Sequence, residues 1–85
     1  ITGANGFIGS FLKTVYSPTH QVYSPGHSML DLTNQQSVDD FFASNEIDTV
    51  IHCALAGRDK INAVDHSIVM QNLEMFNNLW RNRLF

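Results

Sequence analysis

The sequence has little positive charge, a single cysteine and no long apolar run, and each shortage excludes a class of protein. Five lysines and arginines stand against eight aspartates and glutamates and form no basic stripe, which argues against binding to a nucleic-acid backbone. Cys53 has no partner for an internal disulfide, and no signal segment precedes the first motif. No stretch is apolar over the length of a membrane span. These features predict a soluble cytoplasmic protein without nucleic-acid or membrane partners.

What the chain does contain is an alternation of extended and helical patterns. Ile1 and Thr2 are typical of the end of a strand, and the apolar residues of segment 7–16 recur at helical spacing. Residues 21–24 are a predicted short strand. Residues 49–54 are a predicted buried strand, because the run is β-branched and mostly apolar. The alternation predicts an α/β fold of the dinucleotide-binding type, with right-handed crossovers and a parallel sheet covered by helices.

Two further helices are predicted. Thr33 and Ser37 are both candidate N-caps of a helix that ends near Asn45, since each has a polar or acidic residue three positions later. The phenylalanine pair at 41–42 is predicted to lie in the core. A long amphipathic helix is predicted from about Asp65 to the end of the chain. Its predicted core-facing stripe consists of Val69, Leu73, Phe76, Trp80 and Leu84.

Three glycines at every third position open the chain, in the stretch I-T-G-A-N-G-F-I-G. Gly3 would permit a tight turn off the strand, Gly6 would let the backbone approach a pyrophosphate, and Gly9 would let the helix pack against the sheet. The amides of Gly6, Phe7 and Ile8 would then lie at a helix N-terminus, where unpaired N–H groups favour an anion. Taken alone, the glycines also fit a turn that only redirects the chain.

The residues T-G-A-N-G-F-I-G resemble the T-G-x-x-G-x-x-G signature of the extended short-chain dehydrogenases/reductases, which include nucleotide-sugar epimerases, dehydratases and reductases. The resemblance continues through residues 30–42 and I-D-T-V-I-H-C-A-L-A to Q-N-L-E-M-F-N-N-L-W. Within the family, the run from Asp31 is most similar to the GDP-L-fucose synthases, with the dTDP-4-dehydrorhamnose reductases and other sugar epimerases close behind. The resemblance implies a Rossmann-like doubly wound parallel sheet with its first strand truncated. Residues 1–85 would be a partial NAD(P)-binding domain, with the substrate domain and catalytic half outside the chain.

The resemblance also implies a cofactor site. Asp31 would accept a hydrogen bond from the adenine amine, and Asn72 would order the site from its helix. For Asp31 the alternative is a solvated turn residue before a helix. The implied cofactor-binding residues are Gly3, Asn5, Gly6, Phe7, Ile8 and Gly9 around the pyrophosphate, Asp31 and Leu32 at the adenine, Ala54, Leu55 and Ala56 at the ribose and pyrophosphate, and Asn72.

The expected cofactor is NAD or NADP, with a mild preference for NADP. In this type of fold an acid after the second strand binds the ribose 2′-hydroxyl, whereas a basic residue accommodates a 2′-phosphate. The segment Y-S-P-G-H-S offers no acid, and His27 is able to donate to a phosphate. The other interpretation of His27 is a plain loop histidine. The resemblance to the fucose synthases favours NADP as well.

No catalytic residue and no metal site is assigned. The tyrosine and lysine of the family, spaced Y-x-x-x-K, do not occur in this sequence, so the catalytic residues are expected outside the chain. His52 and Cys53 lack further ligands at suitable spacing, which favours a satisfied core histidine and an inert buried thiol. Arg58, Asp59 and Lys60 follow the last predicted strand and either touch substrate or form a solvated loop.

The leading functional prediction is the NAD(P)-binding portion of a nucleotide-sugar epimerase, dehydratase or reductase, with hydride passing between the nicotinamide and the sugar nucleotide. A non-catalytic dinucleotide-binding sensor of the same fold is one alternative, and a purely structural α/β module is another. A downstream Y-x-x-x-K would separate the enzyme from the sensor. The identity of the sugar, the reaction outcome and a homodimeric assembly stay open.

Overall fold

The computed structural model describes residues 1–57 and 66–83, which form three helices. Helix α1 spans Phe7–Tyr16, α2 spans Gln35–Ser44 and α3 spans His66–Trp80. The bounds of α1 are those predicted from its apolar spacing. The predicted start of the last helix at Asp65 lies outside the described residues. None of the three helices is long and apolar enough to cross a membrane.

One parallel bridge, between Thr2 and His52, is the β-pairing within the described segments. The Thr2 amide donates to the Ile51 carbonyl at 3.0 Å, and the Cys53 amide donates to the Thr2 carbonyl at 3.2 Å. These two bonds have the direction of a parallel pair. They tie the start of the chain to the segment that was predicted as a buried strand.

The predicted sheet itself is not confirmed. On the side away from His52, the Ile1 nitrogen donates to the Tyr23 carbonyl at 2.8 Å, so Ile1 and Thr2 run between residues 21–24 and 49–54. Neither of these flanking segments is a strand in the structure, contrary to the prediction. The physical reason is local, because the pairing among the described residues is limited to Thr2 with His52 and a ladder needs several paired residues on each side.

The core lies between α2, α3 and the segment that contains Leu30 and Leu32. Val38 of α2 is fully buried, and burying such a side chain contributes about 1.5–3 kcal/mol. The buried cluster consists of Leu30, Leu32, Val38, Met75 and Leu79, with Phe41, Phe42, Val50, Ala54 and Ala56 partly buried against it. The predicted core position of the phenylalanine pair is confirmed. The cluster joins the two helices to the segment that precedes α2.

The predicted core-facing stripe of α3 is wrong. Its members among the described residues, Val69, Leu73, Phe76 and Trp80, are each between 50% and 55% exposed. The buried residues of the helix are Met75, Asn78 and Leu79. Neighbouring positions differ by about 100° around a helix axis, so two apolar rows fit on α3 and face different ways. The row that packs against the core is that of Met75, Asn78 and Leu79, and it includes a polar residue. Leu84 lies outside the described residues.

The N-cap of α2 is Asn34, neither of the two residues predicted. Its side-chain oxygen accepts from the Ser37 amide at 3.1 Å. Thr33 instead bonds to the carboxylate of Asp31, and the Ser37 hydroxyl accepts from the Asp31 amide at 3.1 Å. All three polar side chains therefore stabilise one turn, and the middle one caps the helix. The helix ends before Asn45, as predicted.

Candidate cofactor site

The turn that leads into α1 is built from backbone contacts that leave no room for side chains. Gly3 has a φ of +66°, in the left-handed region that favours glycine. A Cβ at Gly3 would lie 2.7 Å from the Ala54 amide nitrogen. A Cβ at Gly9 would overlap the Gly3 carbonyl oxygen. The predicted role of Gly3 in a tight turn is confirmed, whereas Gly9 packs against that turn and not, as predicted, against a sheet.

The N-terminus of α1 carries no side-chain cap. Gly6 is the N-cap residue, in an extended conformation with φ −82° and ψ 177°. Its own amide donates to the Gly3 carbonyl at 3.0 Å, so of the three amides predicted to face an anion, this one already has a partner. The amides of Phe7 and Ile8 belong to the first turn, which has no intrahelical acceptors, and their side chains are 92% and 62% exposed.

Thr2 attaches the turn to residues 52–54, a role that sequence reasoning missed. Its Oγ1 accepts from the Cys53 amide at 3.0 Å and from the Ala54 amide at 3.2 Å. The same oxygen lies 2.6 Å from Nδ1 of His52. Since both lone pairs of the hydroxyl are engaged, its proton points to Nδ1, which must be unprotonated. Partial burial lowers the pKa of His52 and favours the same neutral form.

The prediction for His52 is therefore right about a hydrogen-bond partner and wrong about the core, since the residue is exposed. Cys53 is a free thiol that is partly buried. Over residues 1–57 and 66–83, no group of three histidine, cysteine, aspartate or glutamate side chains is arranged to hold a metal ion. Arg58, Asp59 and Lys60, with their predicted choice between substrate contact and solvated loop, lie outside the described residues.

Asp31 sits in an exposed turn directly before α2. Its Oδ1 accepts from the Thr33 amide at 3.0 Å and from the Thr33 hydroxyl at 2.6 Å. These two bonds lower the pKa of the Asp31 carboxyl, and the positive charge of His27 lowers it further. Both bonds go to Oδ1, so Oδ2 has no hydrogen-bond partner within the described part of the chain. The geometry matches a solvated turn residue and still leaves one carboxylate oxygen able to accept from a ligand.

Asn72 of α3 holds the loop that follows the Thr2–His52 bridge. Its Oδ1 accepts from the Ala56 amide at 2.8 Å, and its Nδ2 donates to the Ala56 carbonyl at 3.4 Å. Ala54, at the other end of this loop, is the residue whose amide approaches Gly3. Leu55, between them, is exposed. The structure thus brings the glycine turn, the predicted ribose loop and the predicted helix asparagine into one continuous group.

Leu32 and Asn5 fit the site less directly. The Leu32 side chain is buried in the core, and its carbonyl accepts from Nδ2 of Asn78 at 2.8 Å. The sequence analysis did not assign a role to Asn78. The available signal was a polar residue in the same helical row as the apolar residues Met75 and Leu79. Asn5 is exposed at the tip of the turn. The cofactor contacts of both Leu32 and Asn5 stay predictions.

A cavity of about 920 Å³ lies apart from the predicted cofactor residues. It opens beside Ile1 and Thr2, between residues 20–23 and 45–51, and none of the predicted cofactor residues lines it. The candidate site is therefore the open surface around the glycine turn and not this cavity.

The model of the NAD-dependent epimerase/dehydratase family matches residues 1–82. The chain belongs to this family. The match includes the glycine turn, the Asp31 turn, the loop at 54–56 and α3. It supports NAD(P)-dependent chemistry in general and does not single out the GDP-L-fucose synthases. No match was found among curated proteins or among solved structures.

The residues of this epimerase/dehydratase chain fit the cofactor that the family uses. At Gly3 and Gly9 the main chain of neighbouring residues fills the space that a side chain would need, so the turn holds the start of α1 closely against residues 53–54. The first turn of α1 offers uncapped N–H groups at the positive end of the helix dipole. Such a helix N-terminus suits a phosphate or diphosphate group.

Proposed function

We propose that the chain forms the diphosphate and adenosine part of an NAD(P)-dependent epimerase, dehydratase or reductase that acts on a nucleotide sugar, within a Rossmann-like doubly wound sheet. One observation carries the proposal: α1 begins without a side-chain cap, directly after a turn in which Gly3 and Gly9 have no space for a Cβ. Uncapped helix amides beside bare backbone bind phosphate groups. The bound nicotinamide supplies hydride transfer.

Each group of residues has one part in this function. The amides of Phe7 and Ile8 donate to the diphosphate, and the loop at 54–56 forms the wall beside the adjoining ribose. Asn72 keeps that wall in place through its two bonds to Ala56. The Oδ2 atom of Asp31 accepts from the adenine amine, while Oδ1 remains with Thr33.

The site is tested by placing a cap on α1. In Gly6→Asp, the new carboxylate is positioned to accept from a first-turn amide and to repel a diphosphate. We expect the NADH and NADPH affinities of the full-length protein to fall by about tenfold or more, with the unfolding free energy changed by only a few tenths of a kcal/mol. Fluorescence titration of the reduced cofactors measures the first quantity, and chemical denaturation measures the second.

Gly26→Asp is the matched control for charge. A Cβ at Gly26 meets no atom within 4 Å, and its carbonyl belongs to a different turn. This variant adds the same negative charge without blocking the amides of α1, and it should bind NADH, which has no 2′-phosphate to approach the neighbouring His27, as the parent protein does. If Gly6→Asp also keeps the parent affinity, the diphosphate does not sit on these amides and the proposal is wrong.

The choice of NADP over NAD depends on His27, which is exposed after the segment 21–26. We expect His27→Ala to weaken NADPH binding and to leave NADH binding unchanged. The reason is that only NADPH carries the 2′-phosphate to which the imidazole is able to donate. Equal binding of the two cofactors by the parent protein would contradict the preference.

The catalytic part of the proposal needs substrate. The full-length protein is incubated with UDP-, GDP- and dTDP-linked sugars in the presence of NAD(P), and the products are separated by chromatography. Conversion of a nucleotide sugar supports the enzyme. Tight cofactor binding without conversion of any nucleotide sugar would favour the non-catalytic sensor.

A further inference from the structure

We infer that Asn78 is a positioning residue for the adenosine end of the dinucleotide site and that it acts through the main chain of Leu32. The inference rests on the proposed function and adds a residue to it. Asn78 is 5% exposed, and its Nδ2 donates to the Leu32 carbonyl at 2.8 Å. A buried amide on a packed helix is rare unless its hydrogen bonds are satisfied, and here the satisfied bond fixes a loop.

The loop that Asn78 holds is the one that presents Asp31. Leu30 and Leu32 are buried on either side of Asp31, at 6% and 7% exposure, while the Asp31 side chain is exposed. The two leucines fix the depth of the segment, and the bond from Asn78 fixes the carbonyl that follows Asp31. The position of the Asp31 main chain is therefore set from inside the core, while the two bonds from Thr33 orient its carboxylate.

The same helix holds the opposite wall of the site. Asn72 is hydrogen-bonded to Ala56, and Asn78 is hydrogen-bonded to Leu32. Two side chains of α3 therefore hold the two loops that are predicted to contact the cofactor. Six residues of α-helix span about 9 Å along the axis. Because a helix is stiff over that length, α3 sets the spacing between the Ala56 loop and the Asp31 turn.

The packing of α3 on α2 has its own polar contacts. Asn82 Nδ2 donates to Oδ1 of Asp39 at 2.9 Å, and Arg81 Nη2 lies 3.3 Å from Oδ2 of the same carboxylate. Asn82 Nδ2 also donates to the main-chain carbonyl of Asn78 at 3.0 Å, but none of these contacts involves the Asn78 side chain or the Asp31 turn. The bond from Asn78 to Leu32 is thus separable from helix packing, which gives the experiment its control.

The test compares two ligands that differ in the adenosine end. In the full-length protein, Asn78→Leu removes the donor and keeps a similar side-chain volume. We expect NADH to bind about tenfold more weakly, because the Asp31 turn shifts to hydrate the unpaired Leu32 carbonyl. Reduced nicotinamide mononucleotide, which lacks the adenosine, should bind as it does to the parent protein. Asn82→Ala should bind both ligands like the parent.

A double-mutant cycle with Asp31→Ala asks whether Asn78 acts through the carboxylate. In that background Asn78→Leu should cause no further loss of NADH affinity, a result that general destabilisation would not produce. Asn78→Ala also lacks the donor and adds no bulk to the core, so it serves if the leucine variant does not fold.

Four results would overturn the inference alone: an equal loss for both ligands, additive effects in the cycle, the same loss in Asn82→Ala, or Asn78 variants that bind NADH as well as the parent protein does. If the parent protein binds no NADH, the proposed function falls with it.

Discussion

Helices α1 and α2 begin in opposite ways. At α2 the Asn34 side chain accepts from the Ser37 amide, and Thr33 and Asp31 close the turn in front of it. At α1 the N-cap is Gly6, which has no side chain, and no side chain caps the first turn. The α2 terminus satisfies its own donors, whereas the α1 terminus leaves them for another molecule.

The two turns also differ in what holds them. The hydrogen bonds that cap the α2 turn come from side chains within a few residues of one another, as in Asx turns, and Asn78 adds one distant bond to the Leu32 carbonyl. The α1 turn is held by contacts from far along the chain, through Thr2 to the amides of Cys53 and Ala54. A ligand site needs donors that are free and a frame that is rigid, and only the α1 turn combines both.

The largest expected effect comes from filling the space at Gly9. Alanine is the better helix former by about 1 kcal/mol, yet its Cβ would overlap the Gly3 carbonyl. We expect Gly9→Ala to lower the unfolding free energy by about 1–3 kcal/mol and to abolish measurable NADH binding. Gly26→Ala, which adds the same methyl group in open space, should change neither quantity. If Gly9→Ala binds NADH with the parent affinity, the glycine turn is not part of the cofactor site.

The frame of the α1 turn is tested next, with Thr2→Val. Valine keeps the shape of threonine and removes the acceptor for the Cys53 and Ala54 amides. Losing a buried acceptor costs about 1–3 kcal/mol, and the unfolding free energy should fall by that amount in a denaturant titration. NADH affinity should fall too, since the turn is attached through this hydroxyl. Thr2→Ser keeps the hydroxyl and should retain cofactor binding, and a loss in the serine variant without a loss in the valine variant would show that the methyl group and not the hydroxyl holds the turn.

The sequence was sufficient for features that depend on neighbouring residues. The helix at 7–16, the end of α2 before Asn45 and the turn at Gly3 each follow from residues within a few positions. Local spacing determines such features, because the relevant atoms are bonded close together.

Features that depend on distant residues were not predictable in this way. The buried face of α3 is chosen by Leu30, Leu32 and α2, so the apolar row with Val69 and Trp80 was indistinguishable from the row with Leu79. The bonds from Thr2 to residues 52–54 and from Asn78 to Leu32 join positions dozens apart in sequence. A polar residue inside an apolar row was the one available hint, and its partner could be seen only in the fold.

A smaller effect is expected at the capped helix. Asn34→Ala removes the acceptor for the Ser37 amide and should lower the unfolding free energy by about 1 kcal/mol. NADH affinity should stay at the parent value, in contrast to the changes at the α1 turn. Asn34→Ser restores a capping oxygen and should recover most of the stability. If Asn34→Ala weakened NADH binding as much as Gly6→Asp does, the contrast between the two helix termini would be lost.

The smallest effect is a difference in pH response between the two turns. The pKa of His52 in the folded protein is lowered by burial, so its contribution to stability is complete above the ordinary histidine value of about 6.5 and is lost as the pH falls below it. Protonated Nδ1 would have to donate to Thr2 Oγ1, whose lone pairs already accept from two amides. The pKa of Asp31 is lowered by Thr33, so the α2 turn should weaken only below the ordinary aspartate value of about 3.9.

Amide chemical shifts followed by NMR distinguish these two pH windows within one sample. The Cys53 and Ala54 amides should move with the titration of His52, and the Thr33 amide should move only in the acidic window. In Thr2→Val the His52 titration should no longer reach the Cys53 amide, because the shared hydroxyl is gone. A His52 that titrates above its ordinary range would mean that the protonated ring is the stabilised form, and the Thr2 hydroxyl would then accept from it, leaving one of the two amides without its bond.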